Sequence, residues 1–265
     1  MARDTCTVRA EPYDYREARS LVDALGVSEP IAIALVRRGY RTAEAAREFL
    51  AAEESHPPGA FRSMAAVVAT VESAIDDRRR VTVHGDFDVD GVCATAILVG
   101  ALRELGADCD WLIPDRLGDG YGLSAGNVEE LARRGTSLLI TADCGVTAVE
   151  EVALARSLGM EVVVTDHHQA GEGLPDCQIL HPALDGYPFE SLCGAAVAWK
   201  LASALQGEER QDDLDLVALA TVADVVPLVG ENRNLVRRGL DEARRARRPG
   251  MRALLAAAKC EPTEL

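Results

Sequence analysis

The chain has 265 residues, 48% hydrophobic and 27% charged, with 22 Gly and 11 Pro, a usage that excludes collagen-like, low-complexity and wholly disordered chains. Its longest uncharged stretch is Gly91–Leu102, shorter than the roughly 20 apolar residues of a membrane span, and the first residues lead into no apolar signal run, so the sequence reads as a soluble, cytoplasmic protein with no membrane partner. The net charge of −15, from 43 acidic against 28 basic residues, suits no general polyanion binder. A nucleic-acid role must then rest on a local site, on bound metal or on parts outside the chain.

Residues 1–52 read as helical. Pro30–Arg38 and Thr42–Leu50 are short amphipathic runs, with Thr42 placed as an N-cap. Glu53-Glu-Ser-His-Pro-Pro-Gly59 reads as a linker, so the expected division is a helical N-terminal segment, 1–57, and a catalytic domain, 58–265. Ser63–Asp76 carries Met64, Val67, Val68, Val71 and Ile75 on one helical stripe.

From residue 81 the pattern becomes βα alternation. Candidate strands are 81–84, 110–114, 138–141, 162–165 and 178–181, with helices at 92–105, 124–133 and 147–158 between them. The predicted class is α/β, a parallel β-sheet flanked by helices on both faces with a helical N-terminal extension. Helices are expected again at 192–205, 214–224, 232–247 and 251–259. The basic run Arg233–Arg252, eight arginines with interleaved acids, reads as a solvated helix face. Seven cysteines at irregular spacing, with no Cys-x-x-Cys pair, read as reduced structural thiols.

The ionisable residues gather where strands end. The first strand closes in His84-Gly-Asp-Phe-Asp-Val-Asp90-Gly, the third in Ala-Asp143-Cys-Gly, the fourth in Thr-Asp166-His167-His168. Ligands of an open parallel sheet bind beyond the carboxyl ends of its strands, so three strands deliver carboxylate or imidazole to one rim. Five nearby aspartates cannot stay ionised together without a compensating cation. Carboxylates with a few imidazoles suit Mn²⁺ or Mg²⁺, and the imidazoles favour Mn²⁺. Two such ions about 3.5–4 Å apart are the common arrangement for in-line hydrolysis of phosphate esters. A calcium loop at 86–90 is the competing reading, without the downstream Glu of an EF-hand. His167-His168 alone would pass for a helix cap and a surface residue.

These motifs strongly resemble the DHH phosphoesterase superfamily, and within it the single-strand-specific exonucleases. The segments Pro114-Asp-Arg-Leu-Gly-Asp-Gly-Tyr-Gly-Leu123, Leu192-Cys-Gly-Ala-Ala-Val-Ala-Trp-Lys200 and Leu219-Ala-Thr-Val-Ala-Asp-Val-Val-Pro-Leu228 carry the resemblance onward. It implies a 5′→3′ exonuclease on single-stranded DNA that releases 5′-mononucleotides with two Mn²⁺ ions, or Mg²⁺. Single-stranded DNA is the implied partner, with a single-strand-binding protein or a helicase beside it. His84 and Asp88 would hold one ion, Asp90, His167 and Asp224 the other, with Asp143 bridging. A lone charge such as Asp224 in an apolar helical run is costly unless paired or metal-bound. Catalytic roles fall to Asp143, His168 and Asp86, with His168 against the scissile phosphate; Asp86 either ligates directly or orients an imidazole, as Asp166 does.

Arg116 is either a bidentate phosphate donor or a surface salt bridge, and Tyr121 either stacks on a base or packs its loop. The family implies a further glycine-rich substrate-binding domain. The sequence contains no Gly-Gly pair, and that domain is expected to be absent from this chain. The competing functions are a phosphodiesterase for short oligonucleotides, cyclic dinucleotides or pyrophosphate, and a non-catalytic, nuclease-like scaffold.

Overall fold

A computed structural model describes residues 12–116, 120 and 122–265. The chain divides into two compact units, one ending at Glu53 and the other spanning Glu54–Leu265.

The first unit holds three helices, α1 (Tyr15–Leu25), α2 (Glu29–Arg37) and α3 (Ala43–Ala51). Asp14 caps α1 by accepting from the Arg16 amide at 2.7 Å, and Thr42 caps α3 by accepting from the Ala45 amide at 3.2 Å, satisfying amides that have no partner inside the helix. Leu21, Leu35, Val36 and Ala46 are buried at its centre, where Tyr40 stacks on Phe49 with ring centroids 4.3 Å apart.

The larger unit is built on a parallel five-stranded sheet: β1 (Val81–Gly85), β2 (Cys109–Leu112), β3 (Leu138–Ala142), β4 (Glu161–Thr165) and β5 (Gln178–Leu180), in the order β2-β1-β3-β4-β5. The strands alternate with α4 (Met64–Asp76), α5 (Val89–Glu104), α6 (Ala125–Arg133) and α7 (Val149–Ser157). They are followed by α8 (Gly194–Gln206), α9 (Leu214–Ala223), α10 (Gly230–Arg244) and α11 (Pro249–Ala258). All five residues of β1 and of β3 are buried, as expected of central parallel strands covered on both faces.

The pleat shows how both faces are covered. Leu138, Ile140 and Val163 point into a core shared with α4, α5, α8 and α9. Their neighbours Leu139, Val162 and Val164 point into a second core with α6 and α7. Each buried aliphatic side chain there contributes roughly 1.5–3 kcal/mol.

The structure differs from the sequence expectations at several places. The second strand begins at Cys109 rather than Asp110 and ends at Leu112. Helix α5 begins at Val89, three residues earlier than its apolar run, because Asp88 caps it by accepting from the Gly91 amide at 2.9 Å. The Pro-Pro-Gly stretch is not a loose linker: the Glu54 carbonyl accepts from Asn234 Nδ2 at 2.8 Å, and the His56 carbonyl from Lys200 Nζ at 2.6 Å. The basic run is also only partly a solvated face. Arg248 pairs with buried Asp213 and Asp215, Arg247 with Asp212 and Arg245 with Glu242.

Candidate metal centre

The strand order reverses between β1 and β3, which is where an open α/β sheet forms a crevice at its carboxyl edge. Asp86 and Asp88 lie in the turn that leaves β1, and Asp90 lies in the first turn of α5. Asp143 is the residue after β3, in the left-handed region at φ 64°. Its amide still donates to the Thr165 carbonyl at 3.0 Å, so the carboxylate leaves the sheet from a fixed point. Asp166-His167-His168 follows β4. Asp224 caps the C-terminal end of α9.

His167 is the meeting point. Its Nε2 lies 3.1 Å from Asp143 Oδ1, 3.5 Å from Asp90 Oδ2 and 3.6 Å from Asp224 Oδ2. Among the described residues, three sets have their ligand atoms within 4.8 Å of one another: Asp90–His167–Asp224, Asp86–Asp88–Asp143 and Asp143–His167–His168. Asp143 and His167 each belong to two.

The donor chemistry of this cluster fits a divalent cation. Neither carboxylate oxygen of Asp143, nor Nε2 of His167, has a hydrogen-bond partner among the described residues. Buried acceptors left facing one another in this way are costly unless something positive lies between them. Burial, reinforced by the neighbouring Asp90 charge, pushes the Asp143 carboxyl up to about 10. Burial likewise raises Asp86, Asp90 and Asp224. Oxygen-rich ligation with one or two imidazoles is the preference of Mn²⁺ or Mg²⁺ rather than of a thiolate zinc site.

The supporting groups behave differently. Asp166 is buried, which pushes its pKa up. Hydrogen bonds from the His168 ring at 2.8 Å, the Val146 amide at 2.8 Å and the His168 amide at 3.1 Å outweigh this and hold it below the usual carboxylate value. The same ring contact raises His168. Asp90 accepts from the amides of Gly194 at 2.6 Å and Ala195 at 2.7 Å, the positive end of α8. A Cβ at Gly194 would come within 2.5 Å of Asp143 Oδ1, which requires glycine at the start of that helix.

His84 stands outside the three sets. It is buried, with Nε2 3.4 Å from Asn127 Nδ2 and Nδ1 3.7 Å from the Cys144 sulfur. Arg116 is exposed, its guanidinium 5.2 Å over the Phe87 ring in the turn between Asp86 and Asp88. Tyr121 lies outside the described residues. Asn127, the amides of Gly194 and Ala195, and His181 at the end of β5 were not singled out from sequence. The glycine of Leu192-Cys-Gly before an apolar helix was the one available signal for the helix terminus.

The DHH family, N-terminal domain, matches residues 80–221. The single-stranded-DNA-specific exonuclease RecJ of Bacillus subtilis (strain 168) is 40% identical over 247 residues, covering 91% of this chain and 31% of that protein. The crystal structure of exonuclease RecJ bound to manganese is 40% identical, with a TM-score of 0.70 over 74% of this chain and 51% of that one. RecJ in complex with Mn²⁺ from Thermus thermophilus is 34% identical, with a TM-score of 0.79 over 94% of this chain and 36% of that one. The chain spans about a third of the length of the Bacillus subtilis protein. Among the described residues, no helix is long and apolar enough to cross a membrane.

Proposed function

The chain belongs to the DHH family, and from that membership and the carboxylate–imidazole rim we propose that it is the metal-bearing catalytic part of a RecJ-type 5′→3′ exonuclease, hydrolysing single-stranded DNA to 5′-mononucleotides. The observation that carries the reading is Asp143, a buried carboxylate shared by two candidate ligand sets, neither of whose oxygens accepts a hydrogen bond from the described residues. Asp90, His167 and Asp224 would hold one Mn²⁺ and Asp86 with Asp88 a second, with Asp143 between them; Mg²⁺ is the alternative, since RecJ of Thermus thermophilus has been solved with either ion. Such ions, when bound, supply Lewis-acid activation of water and neutralise charge developing on the phosphodiester.

The chain's own residues set the geometry. Helix α8 fixes the Asp90 carboxylate through two amides. Asp166 holds the His168 ring at Nδ1 and favours its cationic form, suited to stabilising an anionic phosphate oxygen. Arg116, exposed beside the Asp86–Asp88 turn, would supply a forked donor to a substrate phosphate, and Tyr121 a stacking face for a base. Because the chain carries a net −15, DNA attraction depends on such local groups and on the cations. A helicase or a single-strand-binding protein in the cytoplasm would present the substrate.

The test is release of mononucleotides from 5′-labelled single-stranded DNA with Mn²⁺, comparing the chain with Asp143→Ala. Metal-dependent release that falls on the order of 10³-fold in the variant is expected. Release that is equal in the two proteins, or absent from both, overturns the proposal.

A further inference from the structure

The end of β5 brings another imidazole to the rim, His181, directly after Leu180. From its hydrogen bonds we propose that His181 is a positioning residue for the Asp166–His167–His168 turn, acting through the His168 carbonyl. Its kinetic consequence rests on the nuclease reading; its effect on metal binding does not.

His181 is buried at 3% exposure, and both ring nitrogens are engaged. Nε2 lies 2.8 Å from the His168 carbonyl oxygen, and the Ala183 amide lies 3.2 Å from Nδ1. A carbonyl can only accept and a backbone N–H can only donate, so Nε2 carries the proton and Nδ1 is bare. The ring is therefore neutral and confined to one tautomer. Its own backbone is fixed as well, because the His181 carbonyl accepts from the Asp185 amide at 2.9 Å. The Asp185 carboxylate in turn accepts from the Ser63 hydroxyl at 2.8 Å.

The turn is thereby held at both ends by consecutive residues of one strand end. At its start, the Asp166 amide donates to the Leu180 carbonyl at 3.1 Å. Inside it, the His167 amide donates to Asp166 Oδ1 at 2.7 Å. At its close, His181 takes the His168 carbonyl. His167 Nε2 sits among three carboxylates at 3.1–3.6 Å, so a backbone shift at 167–168 misplaces a ligand atom directly. Displacements near 1 Å in such sites cost about 10²-fold in rate.

Two substitutions separate the roles of the two nitrogens. The Asn amide reaches only the Nδ1 position and can keep the Ala183 bond; the Gln amide reaches the Nε2 position and can keep the His168 bond. The experiment measures Mn²⁺ affinity by EPR titration, kcat and KM on single-stranded DNA, and thermal melting, for the chain, His181→Asn and His181→Gln. His181→Asn is expected to weaken Mn²⁺ binding roughly 10–100-fold and to lower kcat with KM little changed, while its melting temperature stays near that of the parent. His181→Gln restores most of both. The reverse pattern, equal effects in the two variants, or no effect in either, overturns the proposal. A parent chain that binds Mn²⁺ without cleaving DNA sinks the nuclease reading and leaves the affinities to decide this one. A chain that binds no Mn²⁺ overturns both.

Discussion

Two buried acids in the larger unit show opposite uses of the same side-chain chemistry. Glu231, on α10, is fully buried and accepts from Lys200 Nζ at 2.7 Å, the His56 amide at 3.0 Å and the Tyr187 hydroxyl at 2.8 Å. Asp143 is equally buried, yet faces Asp90, Asp86 and His167, and among the described residues neither of its oxygens accepts a hydrogen bond. Burial is the same; the supply of donors differs. A buried carboxylate surrounded by donors belongs to the framework, here tying residues 54–56 to α8 and α10. One surrounded by other acids has the donor chemistry of a cation site. Helix α8 serves both, with Lys200 inside the first cluster and its N-terminal amides on Asp90 in the second.

Breaking the framework side should have the largest effect. Glu231→Ala leaves the Lys200 ammonium buried without its carboxylate, a loss of about 3–5 kcal/mol. Burial already holds Lys200 below its usual value, with Glu231 opposing that shift. The melting temperature should fall by about 10 °C at roughly 2–4 °C per kcal/mol; a fall of under about 2 °C, less than one such step, would mean the pair does not hold the segment.

Neutralising the other acid should act with the opposite sign. Asp143→Asn keeps the shape and spares the metal-free protein the cost of holding a buried acid against its acidic neighbours, so the variant should be more stable than the parent in EDTA by about 2 kcal/mol. In saturating Mn²⁺ the order should reverse, because only the parent gains from the ion. Paired melts in EDTA and in Mn²⁺ read both signs, and an unchanged order in the two conditions would contradict the assignment.

The smallest effect is graded with pH. Asp143, Asp90 and Asp86 have folded values raised by burial, Asp143 to about 10. The stability they contribute without metal is fully present below the ordinary carboxylate range and is lost as pH rises through the folded values. For each pH unit between about 5 and 7 the metal-free protein should lose roughly 1 kcal/mol, and Mn²⁺ should flatten the slope by taking the place of the protons. Melting curves at several pH values, with and without Mn²⁺, check this; a metal-free stability that climbs with pH would refute it.

Much of this protein was legible in one dimension. β-branched runs separated by helical stripes marked the strands to within one or two residues, because strand and helix periods are local properties of the chain. Acids and imidazoles placed just past strand ends marked the rim, because a parallel sheet puts all those ends on one edge. Other features depended on the packed chain. Strand order set β1 beside β3 and made Asp143 the shared carboxylate, while α9 carried Asp224 to His167. The structure placed Asp86 beside Asp88 and Asp143 and set His84 against Asn127 and Cys144. It also bound a Pro-Pro-Gly stretch to a buried ion pair and gave His181 a carbonyl to hold. Each of these depends on which distant residues share one small volume, and periodicity carries no information about that. The sequence alone determined the elements and the chemistry available at their ends; only the tertiary structure decided which of those groups meet, because meeting requires strand order, register and helix packing across the whole unit.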